Sequence, residues 1–380
     1  MIKNNIYPEL FPENIETLAK KTPFFVFSKK KIQDKYNKYK KLFSGAEICY
    51  AMKANSEPEI LNLLNESNSS FEVASVYELD LLKTLKTPPQ KIIYGTAIKQ
   101  IDHIKAFVDY GVDRFAFDTF GELEKIASIA PKARVYARVS VNDSGSVFKF
   151  SEKFGTNVDN LIPLMERARD LNLIPYGISF HVGSQASNLH AWANAIKEIR
   201  TKLEQLQKLG IEVQALNLGG GFPCHYTTTG MELLLDDIYI TIEQVLESLP
   251  YKLHIILEPG RGIIGDTGLA LATVVARVER KDATWLFLDL GVYNGLYEAM
   301  AFQGSTRYPI TNITKINTRG SEVFALAGPT GDSADIITRE ALLPHNTETG
   351  DKLIFHNTGA YSLVTACPFN GFPKPPVYYV

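Results

Sequence analysis

The sequence predicts an α/β fold: a (β/α)8 barrel of the TIM type followed by a C-terminal β-domain. Three observations carry this. Apolar runs alternate with helical patterns from Ala46 to Leu257, the rhythm of strand–helix units around a parallel sheet. Polar residues stand at or just past the ends of many of those runs: Lys53, Glu72, Arg138, His181, Asn217 and Glu258. An open doubly wound sheet is the alternative, but only closure brings so many strand ends around one pocket. After Arg261 the helical pattern gives way to short apolar runs punctuated by turns such as Gly328-Pro329 and Gly350-Asp351. The expected organisation is an N-terminal segment (1–28) partly packed with the β-domain, a barrel (29–262) and the β-domain itself (263–380).

Each element has its own warrant. Residues 1–22 are polar and carry Pro8 and Pro12; Thr22–Ser28 then reads as a strand. The lysine-rich run Lys29–Phe43 reads as a helix, because Ile32, Tyr36, Tyr39 and Leu42 recur at helical spacing while the lysines form a solvated face. Barrel strands are expected at Ala46–Met52, Ser70–Ala74, Lys91–Tyr94, Arg114–Phe117, Arg134–Val139, Tyr176–His181, Gln214–Leu218 and His254–Leu257. The intervening helices are expected at Pro58–Leu64, Val76–Leu85, Ile101–Val108, Glu122–Ile129, Leu161–Leu171, Leu189–Leu209 and Met231–Leu249. In the β-domain, strands are expected at Leu269–Val278, Trp285–Leu288, Val323–Leu326, Lys352–Phe355 and Val377–Tyr379. The last of these lies in an apolar, proline-rich tail, which needs a surface to pack on.

Composition narrows the class. With 380 residues, 45% of them apolar and 22% charged, the chain suits a two-domain globular protein. A net charge of −2 suggests no general nucleic-acid or membrane partner. No apolar run reaches membrane-spanning length, and Met1–Asn5 lacks the core of a signal peptide. Cys49, Cys224 and Cys367 are too dispersed for a disulfide framework or a metal cluster. A cytoplasmic protein with reduced thiols is expected, with no metal.

Several motifs carry chemistry, each beside a plainer reading. Lys53 closes the run Glu47–Met52, placing an amine at a strand mouth, although a lysine just past a strand is more often solvated surface. Gly219-Gly220-Gly221 follows a strand; such a run lets backbone N–H groups approach a phosphate, or simply makes a tight turn. Glu258-Pro259-Gly260-Arg261 offers a carboxylate for a heterocyclic nitrogen and a guanidinium for a phosphate, or an ion pair in a loop. His181 can stack on a flat cofactor, with Ser184 as a hydroxyl donor to phosphate, or be an ordinary core histidine. Gly328–Asp335 reads alone as an acidic turn, and Tyr361 as packing beside small residues.

Taken together and in this order, Tyr50–Asn55, Phe180–Ser184, Gly219–Pro223, Glu258–Arg261, Gly328–Ser333 and Gly359–Tyr361 resemble the fold type III pyridoxal-phosphate decarboxylases, the ornithine and diaminopimelate decarboxylase family. The ending Phe369–Phe372 is similar to the ornithine decarboxylase branch. The resemblance runs from about Thr22 to the C-terminus and implies an alanine-racemase-like barrel with pyridoxal 5'-phosphate as cofactor. It implies that Lys53 holds the cofactor as a Schiff base, that His181 stacks on the pyridine ring and that Glu258 pairs with the ring nitrogen. Ser184, Gly220, Gly221, Arg261 and Tyr361 would bind the phosphate; Glu72, Glu78 and Arg138 would support the ring and the lysine. It also implies a homodimer with sites at its interface, Asp332 reaching the substrate in the facing subunit, and a small-molecule amino acid as substrate.

The chain departs from the family at informative positions. Gly331 stands where the family commonly has a cysteine that manages protonation. Ala301, Phe302 and Gln303 stand where basic-amino-acid decarboxylases place an acid for the distal ammonium, and a buried ammonium without a counter-charge costs several kcal/mol. Asn217 replaces a common aspartate. The expected activity is decarboxylation of ornithine or a related diamino acid. A distally acylated or neutral substrate, another pyridoxal-phosphate activity such as racemisation, and a non-catalytic homologue remain alternatives.

Overall fold

The computed structural model describes residues 21–224, 233–301 and 308–380. These form two compact units, one of residues 35–223 and 233–262, the other of residues 21–34, 224 and 263–380. The first strand, β1 (Phe24–Phe27), belongs to the second unit.

The first unit is a closed barrel of parallel strands. Its staves are β2 (Glu47–Ala51), β3 (Ser70–Val73), β4 (Ile92–Tyr94), β5 (Arg114–Phe117) and β6 (Arg134–Arg138). After β6 the chain makes β7 (Ser146–Phe148), then returns to the barrel as β8 (Ile174–Ser179). It leaves again as β9 (Ser184–Ala186), which pairs with β7, and completes the ring with β10 (Ala215–Asn217) and β11 (His254–Leu257). Closure is made by β11 against β2, Ile256 opposite Glu47 and Leu257 opposite Ile48. Strands buried on both faces need near-continuous apolar sequence, which Arg114–Phe117 approaches; Ser70–Val73 alternates polar and apolar residues instead, yet both strands are buried throughout. Cys49, Ile93, Tyr136, Ala215 and Ile256 pack together in the barrel interior.

Local chemistry sets the helices. Ser75 and Thr119 accept hydrogen bonds from the N–H groups of Glu78 and Glu122, capping the helices Val76–Thr84 and Phe120–Ile129. Gly111, at φ +96°, ends Ile101–Tyr110. At the N-terminal ends of the staves, Arg114 grips Glu47 through two bonds of 2.8 and 3.0 Å, and His254 Nε2 lies 3.1 Å from the same carboxylate. Burial alone would raise the Glu47 carboxyl, but the bonds from His254 and Arg114 hold it well below the usual range.

The second unit is a mostly antiparallel sheet. It contains β12 (Gly268–Glu279), β13 (Thr284–Leu288), β14 (Ile310–Asn312), β15 (Ser321–Ala327), β16 (Ile336–Pro344), β17 (Lys352–His356) and β18 (Val377–Tyr379). Their order is β14-β17-β12-β13-β15-β16, with β1 paired to both β12 and β18. The apolar tail therefore packs on its own body: β18 runs parallel to β1, and Tyr378 meets the Phe24 ring edge-on at 5.3 Å. Residues 1–20 of the expected N-terminal segment lie outside the described residues.

Among the described residues, four strands were not anticipated: β7, β9, β14 and β16. The longest, Ile336–Pro344, hides because Arg339 and Glu340 are consecutive exposed residues and the pairing with β15 shifts register. Such a bulge breaks the two-residue alternation that marks a strand.

Candidate active site

One pocket opens at the C-terminal ends of the barrel strands. It holds about 380 Å3 of empty space, counted out to solvent, and is lined by Lys53, Glu72, Arg138, His181, Asn217 and Glu258. Six polar residues from separate stretches of sequence thus converge through barrel closure. Ile93, Gly95, Ala116, Tyr136, Ser179 and Phe180 complete the lining; of these only Phe180 belongs to a motif named from the sequence. The signal was available in the strand period, since residues two apart share a face: Tyr136 lies two before Arg138, and Ser179 two before His181.

Lys53 sits on the short 3-10 turn Met52–Ala54 that ends β2. Its Nζ lies 3.2 Å from Glu72 Oε2. Glu72 is 4% exposed, and an added side chain at Gly95 would collide with its carboxylate. Glu78 Oε2 accepts the Ala74 N–H at 2.6 Å. Burial pushes the Glu78 carboxyl up to about 7, with Glu72 adding to the rise and the Ala74 bond and Lys53 opposing it.

Glu258, just past β11, accepts from Asn217 Nδ2 at 2.6 Å, while Asn217 Oδ1 accepts the Gly219 N–H at 2.9 Å. Burial first, and then the Glu72 charge, raise the Glu258 carboxyl to about 7 against the opposing pull of Lys53, Asn217 and Arg138. His181 Nδ1 accepts the Gly183 N–H at 3.0 Å, which puts the proton of a neutral ring on Nε2. Desolvation, reinforced by Lys53 and Arg138, keeps this imidazole well below its usual pKa, and therefore neutral.

Beside this group lies a cradle suited to an anion. Ser184, on β9, receives a 3.4 Å bond from Arg261 Nε, and both residues are buried. The Gly221 carbonyl accepts the Ala186 N–H at 3.0 Å, bringing the glycine run against β9. Gly221 has φ +97°, a conformation that side chains rarely adopt. A Cβ on Gly220 would lie 2.8 Å from the Glu258 carbonyl oxygen and 3.1 Å from His181 Nε2. The pocket thus fits a flat, phosphorylated aldehyde: an amine, a carboxyl that holds a proton near neutrality, an imidazole, and a glycine-walled cradle with a guanidinium.

Two expected residues belong to the other unit. Tyr361 follows β17 and the turn at Asn357, with φ +53°. Asp332 accepts the Tyr293 hydroxyl at 2.5 Å through Oδ2 and the Ala334 N–H at 3.0 Å through Oδ1; the Tyr293 bond holds its carboxyl below the usual value. Gly331 donates its N–H to Asn370 Oδ1 at 3.0 Å, and a Cβ there would meet only that oxygen, at 3.8 Å. Ala301 is exposed at the end of the short helix Tyr297–Ala301, where Glu298 is buried. Phe302 and Gln303 lie outside the described residues.

Barrel and pocket define the class: a barrel enzyme that works at the C-terminal mouth of its strands. The family model described as pyridoxal-dependent decarboxylase, pyridoxal binding domain, matches residues 29–265. The chain belongs to that family, and it is a pyridoxal-phosphate-dependent carboxy-lyase. The lysine/ornithine decarboxylase of Selenomonas ruminantium is 32% identical over 369 residues, covering 97% of this chain and 92% of that protein. A crystal structure of lysine decarboxylase from the same organism matches with a TM-score of 0.89 at 32% identity, covering 97% of this chain and 96% of the other. Lysine/ornithine decarboxylase from Vibrio vulnificus, complexed with putrescine, matches with a TM-score of 0.86 at 30% identity, covering 96% and 97%.

Proposed function

We propose that this enzyme decarboxylates ornithine or a closely related L-diamino acid at the barrel pocket. The observation that carries the reading is the convergence of Lys53, Glu72, Arg138, His181, Asn217 and Glu258 on one cavity. Lys53 would hold the cofactor aldehyde. Gly220, Gly221, Ser184 and Arg261 would hold its phosphate, with Tyr361 as a further donor. When bound, pyridoxal phosphate supplies the electron sink that lets the bond from the substrate Cα to its carboxylate break.

The chain's own side chains do the rest. Glu258, steadied by Asn217, holds the proton at the ring nitrogen and so maintains the pull on electrons. His181 presents a neutral face to the ring rather than a competing cation. Glu72 orients the Lys53 amine, and Lys53 Nζ returns a proton to the substrate Cα. Arg138 offsets the charges of Glu258 and Glu72, and Glu78 ties down the Ala74 N–H just past the strand that carries Glu72.

The distal ammonium of a diamino acid needs an acid. Asp332 fits that part if a second copy of the chain presents it, so we read the enzyme as a homodimer with shared sites. The same reading places it in cytoplasmic polyamine biosynthesis. The run Ala301-Phe302-Gln303, with no acid, favours a rival in which the distal end is neutral or acylated. A panel of ornithine, lysine, diaminopimelate and distally acylated diamino acids, with CO2 and amine followed by mass spectrometry, decides between them. Ordinary turnover on ornithine or lysine upholds the first reading. Turnover confined to acylated substrates selects the rival, and no CO2 from any of them overturns both.

A further inference from the structure

The connection after β6 contributes three phenylalanines, and each lies against a different charged or imidazole group of the site. The Phe148 ring faces Arg261, with the guanidinium carbon 5.7 Å from its centroid. Phe150 lies 4.9 Å from the His181 ring, inclined at 56°. Phe154 faces the Arg138 guanidinium at 5.1 Å and also carries the Lys153 ammonium at 5.0 Å.

The segment is held in place independently of any ligand. Asp143, 6% exposed, accepts the N–H groups of Phe150 and Ser151 at 2.7 and 2.9 Å. Asp118, 8% exposed, accepts the Gly155 N–H at 2.9 Å. Thr156 donates its N–H to the Arg138 carbonyl, and β7 pairs with β9 so that Phe148 stands opposite Ser184. One segment therefore aligns the hydroxyl of the anion cradle through backbone pairing and the guanidinium of the same cradle through a ring face.

We propose that this segment is an aromatic strap whose rings are positioning residues: Phe148 sets Arg261 and Ser184 for the cofactor phosphate, Phe150 fixes the His181 ring plane, and Phe154 fixes Arg138. The proposal rests on the reading that the cradle at Arg261 and Ser184 takes the phosphate. The strap sets an aromatic ring against each group and strengthens its charge interactions by lowering the local dielectric. A guanidinium over a ring also gains a direct electrostatic contact.

The test compares affinities of the full-length apoprotein for pyridoxal 5'-phosphate and for pyridoxal, which lacks the phosphate, by equilibrium dialysis. The wild type should prefer the phosphorylated ligand. Phe148→Leu keeps apolar volume but removes the ring face. It should weaken pyridoxal 5'-phosphate by about tenfold, the size of a partly desolvated cation–π contact, and leave pyridoxal unchanged. Phe148→Tyr should restore the preference. Phe150→Leu should weaken both ligands to the same extent. Unchanged affinities in Phe148→Leu, or equal losses on both ligands, would overturn the strap. A wild type without preference would instead overturn the phosphate reading beneath it.

Discussion

At the scale of single residues, the pocket keeps opposite charges in contact without letting them cancel its chemistry. Lys53 is held by Glu72 yet remains about two-fifths exposed, at 39%, so its amine can reach an incoming aldehyde. Lys53→Ala should abolish the visible absorbance of the purified holoenzyme and lower kcat by at least about 10³-fold, since both the attachment point and the proton donor are lost. Glu258→Gln preserves the contact with Asn217 but cannot carry the charge that faces a protonated ring nitrogen. It should retain cofactor and lose on the order of 10²-fold in kcat, a split that steady-state kinetics and absorbance together resolve.

Glu78 gives a stability prediction with a definite sign. Its folded pKa, about 7, lies above the ordinary 4.5, so its contribution is fully present below about pH 4.5 and is lost as pH rises through 7. That amounts to roughly 3 kcal/mol across the window. Glu78→Gln should flatten the rise in urea midpoint that the apoprotein otherwise shows on acidification from pH 7 toward 5. An unchanged slope would mean that the carboxyl is not proton-linked to folding.

At the scale of elements, barrel strands with chemistry at their ends were legible because short, largely apolar staves recur between helical patterns. Lys53, His181 and Glu258 could be picked out because they interrupt or follow them. Tyr136 and Ala116 carry a weaker mark: the strand period sets Tyr136 on the face of Arg138, but an apolar or phenolic residue on such a face does not by itself separate pocket from core. The β7–β9 ribbon was illegible for another reason: each strand has only three residues, too few to establish a period. The glycine run illustrates close approach rather than flexibility alone. Gly220→Ala would drive a methyl group toward the Glu258 carbonyl oxygen and His181 Nε2. Cofactor dissociation constants should rise by tenfold or more, about 1.4 kcal/mol, with little change in far-ultraviolet circular dichroism. At the opposite end of the barrel, Arg114→Met leaves the part-buried Glu47 carboxylate with His254 alone. It should cost about 1–3 kcal/mol in chemical denaturation, without altering the substrate preference of the remaining folded enzyme.

At the scale of the whole molecule, the cofactor and a second copy should both act on folding and activity. A ligand that binds only the folded state stabilises it by about 2.7 kcal/mol at a hundredfold excess over its Kd. Pyridoxal phosphate should therefore raise the melting temperature of wild type more than that of Gly220→Ala at equal concentration. The homodimer proposal has its own test. Lys53→Ala and Asp332→Ala, each inactive alone, should regain about a quarter of wild-type activity when mixed and allowed to exchange subunits, because half of the mixed dimers' sites are then intact. No recovery in exchanged dimers would place Asp332 and Lys53 in the same subunit's site or remove Asp332 from it.

The sequence by itself determined the barrel, the β-domain and the residue types of the chemistry, because periodicity and motif spacing are local properties of the chain. The tertiary structure decided which of those residues share a cavity, how Glu258 and Glu78 come to hold protons near neutrality, and which rings stand against Arg261, His181 and Arg138. Burial, charge proximity and ring contact arise between segments far apart in sequence, so no window along the chain contains them.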